Sequence, residues 1–483
     1  MAANIACAFV ACGGSVGDAI STDAGADDGR QCPSPNAAGS QSGVCVPIDA
    51  GMDATAPIDS SQDATSEAGT DAGSDASHDA AQESLGDASD SADTVGDAPI
   101  DGNDAADAEA DAPPSIATSV AGGEQHTCAL LATGGVKCWG WNSVNQLGDG
   151  TSTGRASPTQ VYGLQSGVSA ISAFSYHTCA LLKGGALQCW GENLYGQLGN
   201  GTTDGGTTPS LVSSLQSGVT AISAGGAHTC ALISGGAVEC WGHNWKGEIG
   251  DGTTSDRLMP TPVSGLQTGV VSISAGHDHN CAVLAGGALE CWGSNSAGQL
   301  GDGSTTDRGM PTPVSGLQSG VTAVASGMDQ TCALTVGGAL LCWGSNYFGQ
   351  LGDGTTTDHL VPTPVTGLQS GVTAVVAGAG YTCAILASGA ASCWGYNWLG
   401  QLGDGTTTDR HTQTAVSGLT SGVAKIAMNT SGTYQVHTCA VSIGGSLACW
   451  GLNLHGELGS TTTTPCSGFA YPCSTVPLPV PGL

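Results

Sequence analysis

The sequence predicts an all-β protein, a seven-bladed β-propeller over residues 116–483 preceded by a disordered acidic linker. Three observations carry that expectation. A unit of about 51 residues, marked by a cysteine pair and a Trp-Gly, recurs along the last three quarters of the chain. Within each unit the apolar residues come in short runs broken by glycine pairs, which reads as short strands joined by tight turns, and no helical period shows. The first quarter has the opposite composition, rich in Asp, Ala, Ser and Gly and nearly free of large apolar side chains.

The acidic stretch comes first along the chain. Residues 1–115 hold 22 Asp or Glu against one basic residue, Arg30, while the remaining residues hold 18 against eight, so the net charges are −21 and −10 out of −31. Such a segment cannot bury enough apolar surface to offset the entropy of ordering. Residues 13–115 therefore read as a self-repelling tether, on the order of 55 Å end to end if it behaves as a flexible coil. Residues 1–12, "MAANIACAFVAC", are too short an apolar run to span a membrane. With the following "GGS" they resemble the lipobox of bacterial lipoproteins, Cys12 being the acylated residue, although Phe9 stands where leucine is usual and no Lys or Arg precedes the run. This implies export, to the cell envelope as a lipoprotein or as a secreted protein, with membrane contact only through the lipid.

The repeat is set by its cysteines. The first of each pair is Cys128, Cys179, Cys230, Cys281, Cys332, Cys383 and Cys439, and the second, ten residues on, is Cys138, Cys189, Cys240, Cys291, Cys342, Cys393 and Cys449. Each unit contains four short runs, the last being "P.PV.GL", where proline suits an edge strand. Four strands repeated seven times bury both sheet faces when the sheets pack radially into a closed ring. Residues 476–483 are expected to pair beside residues 116–121, fastening the ring.

The recurring pattern "H(T/S).AL...G.....WG.N..GQLG", as in "SAGGAHTCALISGGAVECWGHNWKGEIGDGT", resembles the repeat of the regulator of chromosome condensation (RCC1) family. The resemblance spans about three quarters of the chain and implies a seven-bladed propeller. The cysteine pair departs from the usual family pattern. Across a twin-glycine hairpin the two cysteines stand nearly opposite, close enough for a disulfide, so one bridge per blade is expected, each contributing roughly 2 to 3 kcal/mol on a chain-entropy account. Seven bridges imply an oxidising compartment. Cys32 with Cys45 and Cys466 with Cys473 are also spaced to bridge locally.

Catalysis finds no candidate residues. The histidine two before each first cysteine (His126, His177, His228, His279, His437) is replaced by Gln330 and Tyr381 in units five and six, so it reads as a hydrogen-bonding group to a loop carbonyl and not as a proton carrier. The tryptophans after the second cysteines, Trp139 to Trp450, are copied in all seven units and read as core. Zinc thiolate sites want closer spacing than C-x9-C, and the "GDGTTTD" turn, with Asp353 and Asp358, loses its acids in other units, so neither zinc nor calcium is assigned. No cofactor is expected.

The residues that refuse to repeat lie in two places, the turn after the first strand and the loop after the third, which emerge on one face because strands alternate direction. There stand Trp141, Tyr176, Tyr195, Trp245, Tyr347, Phe348, Tyr381, Tyr396, Trp398 and, in a five-residue insertion, Tyr434. Aromatic residues gathered on one face suit a protein contact or a carbohydrate platform; the alternative is that some of them cover the central opening. The expectation is a monomeric, non-enzymatic binding propeller with a protein partner. A lectin-like module is the alternative, and guanine-nucleotide exchange, which the family resemblance implies, fits poorly with the acidity and the disulfides. Nucleic acid is disfavoured by the net −10 of the propeller.

Overall fold

The computed structural model describes residues 116–428, 436–460, 466 and 471–483. Its described residues form seven four-stranded antiparallel sheets and no helix. Each sheet takes its four strands from consecutive sequence. In blade one these are Ala117–Gly122, His126–Leu131, Val136–Gly140 and Arg155–Gln160, and blade seven ends with Val423–Met428, His437–Ser442, Leu447–Leu452 and Cys473–Pro479. The first strands of neighbouring blades touch one another and line the hub. The fourth strands pair with the third alone and form the periphery, which is where prolines such as Pro260, Pro262, Pro311 and Pro313 cost no ladder bond.

The cysteines of each pair are directly opposite partners on the second and third strands, as Cys128↔Cys138 and Cys230↔Cys240. Their Cα atoms lie 4.0–4.1 Å apart in the seven blades, the close spacing of a non-hydrogen-bonded pair, and all seven are joined as disulfides. Cys466–Cys473 is joined as well. Cys12, Cys32 and Cys45 lie outside the described residues.

The core sits between blades. One cluster joins Cys179, Leu187, Leu198 and Val212 of blade two to Val219, Ile222 and Trp241 of blade three, and each of the seven repeated tryptophans is wholly buried in this way. The "GQLG" turn of one blade makes room for the tryptophan of the next. At Gly199, φ is +68°, and a Cβ would come within 2.6 Å of Trp241 Nε1. Only glycine meets both demands.

The ring does not close as the sequence suggested. Residues 476–483 do not pair with 116–121: the strand Cys473–Pro479 completes blade seven against Leu447–Leu452, with Ala448↔Pro479 and Leu452↔Cys473. A peripheral strand cannot reach a hub strand. Closure uses the same contacts as every other seam. Trp139 Nε1 donates to the Glu457 carbonyl at 2.8 Å, Thr127 Oγ1 donates to that same carbonyl at 2.9 Å, and Ala117 N donates to the Gly445 carbonyl at 3.0 Å.

Candidate functional site

The loop face rests on a hydrogen-bonded circuit that runs through all seven seams. In blade three, Thr229 Oγ1 and Trp241 Nε1 both donate to the Gln197 carbonyl of blade two, each at 2.9 Å. Because Thr229 donates its proton there, it accepts from His177 Nε2 at 2.9 Å, which fixes that histidine as the Nε2-protonated neutral form. The relation repeats from His126 to Thr178 and from His279 to Thr331, and it ends where it began, with His437 on Thr127 at 2.7 Å. His228 uses Asn280 Oδ1 instead of a threonine. Gln330 reaches the carbonyls of Gly378 and Tyr381, and Tyr381 reaches the carbonyl of His437.

These side chains are structural, and the partner of the histidines is a hydroxyl or amide of the next blade where a loop carbonyl was expected. Burial holds the imidazoles far down, at about 3 for His126, His177, His279 and His437.

Above this circuit each long loop is pinned by one buried asparagine. In blade three Asn244 Nδ2 donates to the carbonyls of Thr253 and Ser255, and Asn244 Oδ1 accepts from Ile249 N at 2.9 Å. Asn142, Asn193, Asn295, Asn346 and Asn397 do the same in their blades. The acids of the "GDG" turn are engaged within the protein: Asp251 accepts from Thr253 N, Thr253 Oγ1 and Arg257 Nε. Although burial pushes the Asp251 carboxyl up, the Thr253 and Arg257 donors more than reverse this and leave it below its ordinary value.

On these rigid loops the aromatic residues sort into three clusters. Trp141 lies 5.4 Å from Tyr176 and 6.3 Å from His455 between ring centroids. Tyr195, His243 and Trp245 form the second, and Tyr347, Phe348, Tyr396 and Trp398 the third. Trp245 and Tyr347 are each 65% exposed and Trp398 47%. Trp141, Tyr176, Tyr195 and Phe348 are half-buried.

Tyr381 and Tyr396 do not belong to the accessible face. They are buried, together with Phe174, Met328 and Met428, in a core that reaches across the hub. These side chains come from blades two, five, six and seven and pack on one another instead of standing out from the loops. Tyr434 lies outside the described residues.

Sequence reasoning missed Leu194 and Leu454, which are 67% and 41% exposed. The available signal was an offset. The residue following the pinning asparagine is Leu194, Trp245, Tyr347, Trp398 and Leu454 in five blades, and Ser143 and Ser296 in the other two.

The face also carries charge. Glu192, half-buried, is raised by burial and then by the nearby Glu124. His243, Glu248 and Asp278 place three ligand-capable atoms within 4.8 Å of one another.

Comparisons with known proteins agree with this architecture. The family model described as the regulator of chromosome condensation (RCC1) repeat matches residues 133–181, 185–232, 236–283, 287–334 and 337–385, and a second model of the same description matches 117–146, 168–197, 270–299 and 321–350. The Ultraviolet-B receptor UVR8 of Arabidopsis thaliana is 31% identical over 354 residues, 72% of this chain and 80% of the receptor. The human E3 ubiquitin-protein ligase HERC2 is 31% identical over 295 residues, 59% of this chain but 6% of the ligase. Among solved structures, Prp20p from Saccharomyces cerevisiae, described with its binding properties to Gsp1p and histones, superposes with a TM-score of 0.60 at 20% identity, covering 76% of this chain and 88% of that one. Human WBSCR16 superposes with a TM-score of 0.59 at 23% identity, covering 68% and 87%.

Proposed function

Since the chain belongs to the regulator of chromosome condensation repeat family, whose fold presents one face of loops held on a closed ring, we propose that it is a non-enzymatic binding propeller that engages a protein partner through that face. The observation that carries this reading is the common loop offset: large apolar side chains stand out from rigid, asparagine-pinned loops at Leu194, Trp245, Tyr347, Trp398 and Leu454. Preorganised loops lose little entropy on docking, and exposed Trp and Tyr are the side chains that dominate protein contacts. Prp20p, of the same fold, is described as binding proteins.

Seven cross-strand disulfides support an oxidising, extracytoplasmic compartment for it. Residues 13–115 then act as a spacer, whether the chain is anchored to the envelope through Cys12 or secreted. Guanine-nucleotide exchange requires a cytosolic setting in which these bridges would not persist.

The test is affinity capture from envelope fractions with the full oxidised chain, compared with a Trp245→Ser, Tyr347→Ser, Trp398→Ser variant, followed by one-to-one binding of the captured protein after purification. Loss of that binding in the variant supports the reading, and equal binding removes it. A carbohydrate platform would show instead as saturable glycan binding lost in the same variant.

A further inference from the structure

One group of side chains on the loop face departs from the repeat in a coordinated way. The residue after Trp-Gly and the residue five places later contact each other where both are polar. Gln197 Nε2 donates to Glu192 at 3.3 Å, and Gln299 and Gln350 donate to Ser294 and Ser345 at 3.4 Å. In blade three both positions change, to His243 and Glu248, with His243 Nδ1 3.1 Å from Glu248 Oε1. The first turn of blade four adds Asp278 where blade three itself has Ala227.

Every part of this corner is held. Glu248 is wholly buried, its Oε2 accepts from Lys246 N at 2.8 Å, and its main-chain carbonyl accepts from Asn280 Nδ2 and Trp292 Nε1. The His243 imidazole lies between Tyr195 and Trp245, with centroids 4.7 and 4.9 Å away. His277 Nδ1 sits 2.7 Å from Asp278 Oδ2, and Asp329 of blade five receives Gln299 Nε2 at 3.3 Å.

Carboxylates gathered in a largely buried site are costly without positive charge to match them.

We propose that His243, Glu248 and Asp278 bind one divalent cation of the zinc type, with His277 orienting Asp278 and water completing the coordination. Metal–ligand bonds of about 2.0–2.2 Å set neighbouring ligand atoms about 3.3–3.5 Å apart in a tetrahedral site. The 3.1 Å between His243 Nδ1 and Glu248 Oε1 is close to that spacing, and the Asp278 carboxylate, one third exposed, has room to close the remainder. The proton shared between Nδ1 and Oε1 leaves when the ion enters. One imidazole nitrogen with two carboxylate oxygens suits zinc and its neighbours, whereas calcium takes six to eight oxygens. The half-buried hydrogen bond from His277 Nδ1 to Asp278 Oδ2 is the kind of outer contact that orients a metal ligand.

The test uses the metal-stripped, oxidised full chain titrated with Zn2+ by calorimetry in excess Mg2+, which saturates exposed acids. One saturable site is expected. Co2+ in its place quenches the fluorescence of Trp245, read as the difference from Trp245→Phe. His243→Ser, Glu248→Gln and Asp278→Ala each install the residue found at the same place in another blade (Ser294, Gln197 and Ala227), so the ring is kept. Each weakens the site by about tenfold or more, while His455→Ala leaves it unchanged. Absence of saturable binding, or binding of undiminished strength in the three variants, overturns the proposal.

Discussion

The seam between two blades and the rim of the loop face are built from the same loop yet tolerate change differently. At the seam, Thr229 and Trp241 contact the main-chain carbonyl of Gln197, so the side chain there is free to be Gln or Glu, and Glu248 and Glu457 appear at that position without disturbing the bond to the next tryptophan. At the rim, a few residues earlier, the side chain itself points outward and runs from Ser143 to Trp245. A repeat read through its backbone keeps its bond to the next tryptophan whichever of the two side chains stands there. A position read through its side chain is where variation acquires consequence.

The largest blow to this contrast is at the seam. Trp241→Ala should cost about 3–5 kcal/mol, because the buried ring leaves a void between blades two and three, measured by denaturant unfolding. Should it cost no more than Trp245→Ala, the distinction between seam and rim fails. Replacing Cys230 and Cys240 together with alanine should cost less, roughly 2–3 kcal/mol for the loop they close, read as a lower unfolding midpoint relative to the intact oxidised chain.

Asn244→Ala sharpens the comparison from inside one loop. It strips the donors from two carbonyls and should cost about 1–3 kcal/mol while freeing Trp245, seen as faster proteolysis after the third strand of blade three. At the rim, Trp245→Ser should change stability within about 0.5 kcal/mol and act on partner binding alone.

A pH series separates the two regions again. The buried hub imidazoles have folded values of about 3, below the ordinary 6.5 of the unfolded chain. Their contribution is present above 6.5 and is lost as pH falls from 6.5 toward 3, because the unfolded chain takes up the protons, by up to about 1.4 kcal/mol per pH unit for each group. Glu457, raised by burial to about 7, and Asp329 act in the opposite sense, as do His243 and His277, losing stability as pH rises through their folded values. The four strongly lowered imidazoles outweigh these, so the thermal midpoint should climb between pH 4 and 6.5. His279→Gln, which donates without titrating as Gln330 does, should flatten that climb; an unchanged slope would remove the assignment.

Much of this was legible residue by residue. The ten-residue step from Cys128 to Cys138 implied directly opposed strands, and the prolines of "PTPV" implied an outer edge, because both are local consequences of strand geometry. The choice of face for the variable loops followed from strand alternation alone. The fate of each aromatic residue did not. Tyr381 and Trp398 look alike in a sequence, but one begins a second strand and is buried in the core that reaches across the hub, and the other follows a pinning asparagine and stands half exposed. Leu194 was passed over because it is not aromatic, although its offset matched that of Trp245.

The chain by itself determined seven units, their disulfides and their edge strands, since each of these depends on spacing within one blade. The tertiary structure alone decided how the ring closes, which rings fill the hub, and that His243, Glu248 and Asp278 meet. Those outcomes depend on distances between blades, and such distances arise only when separate stretches of chain pack around a common centre.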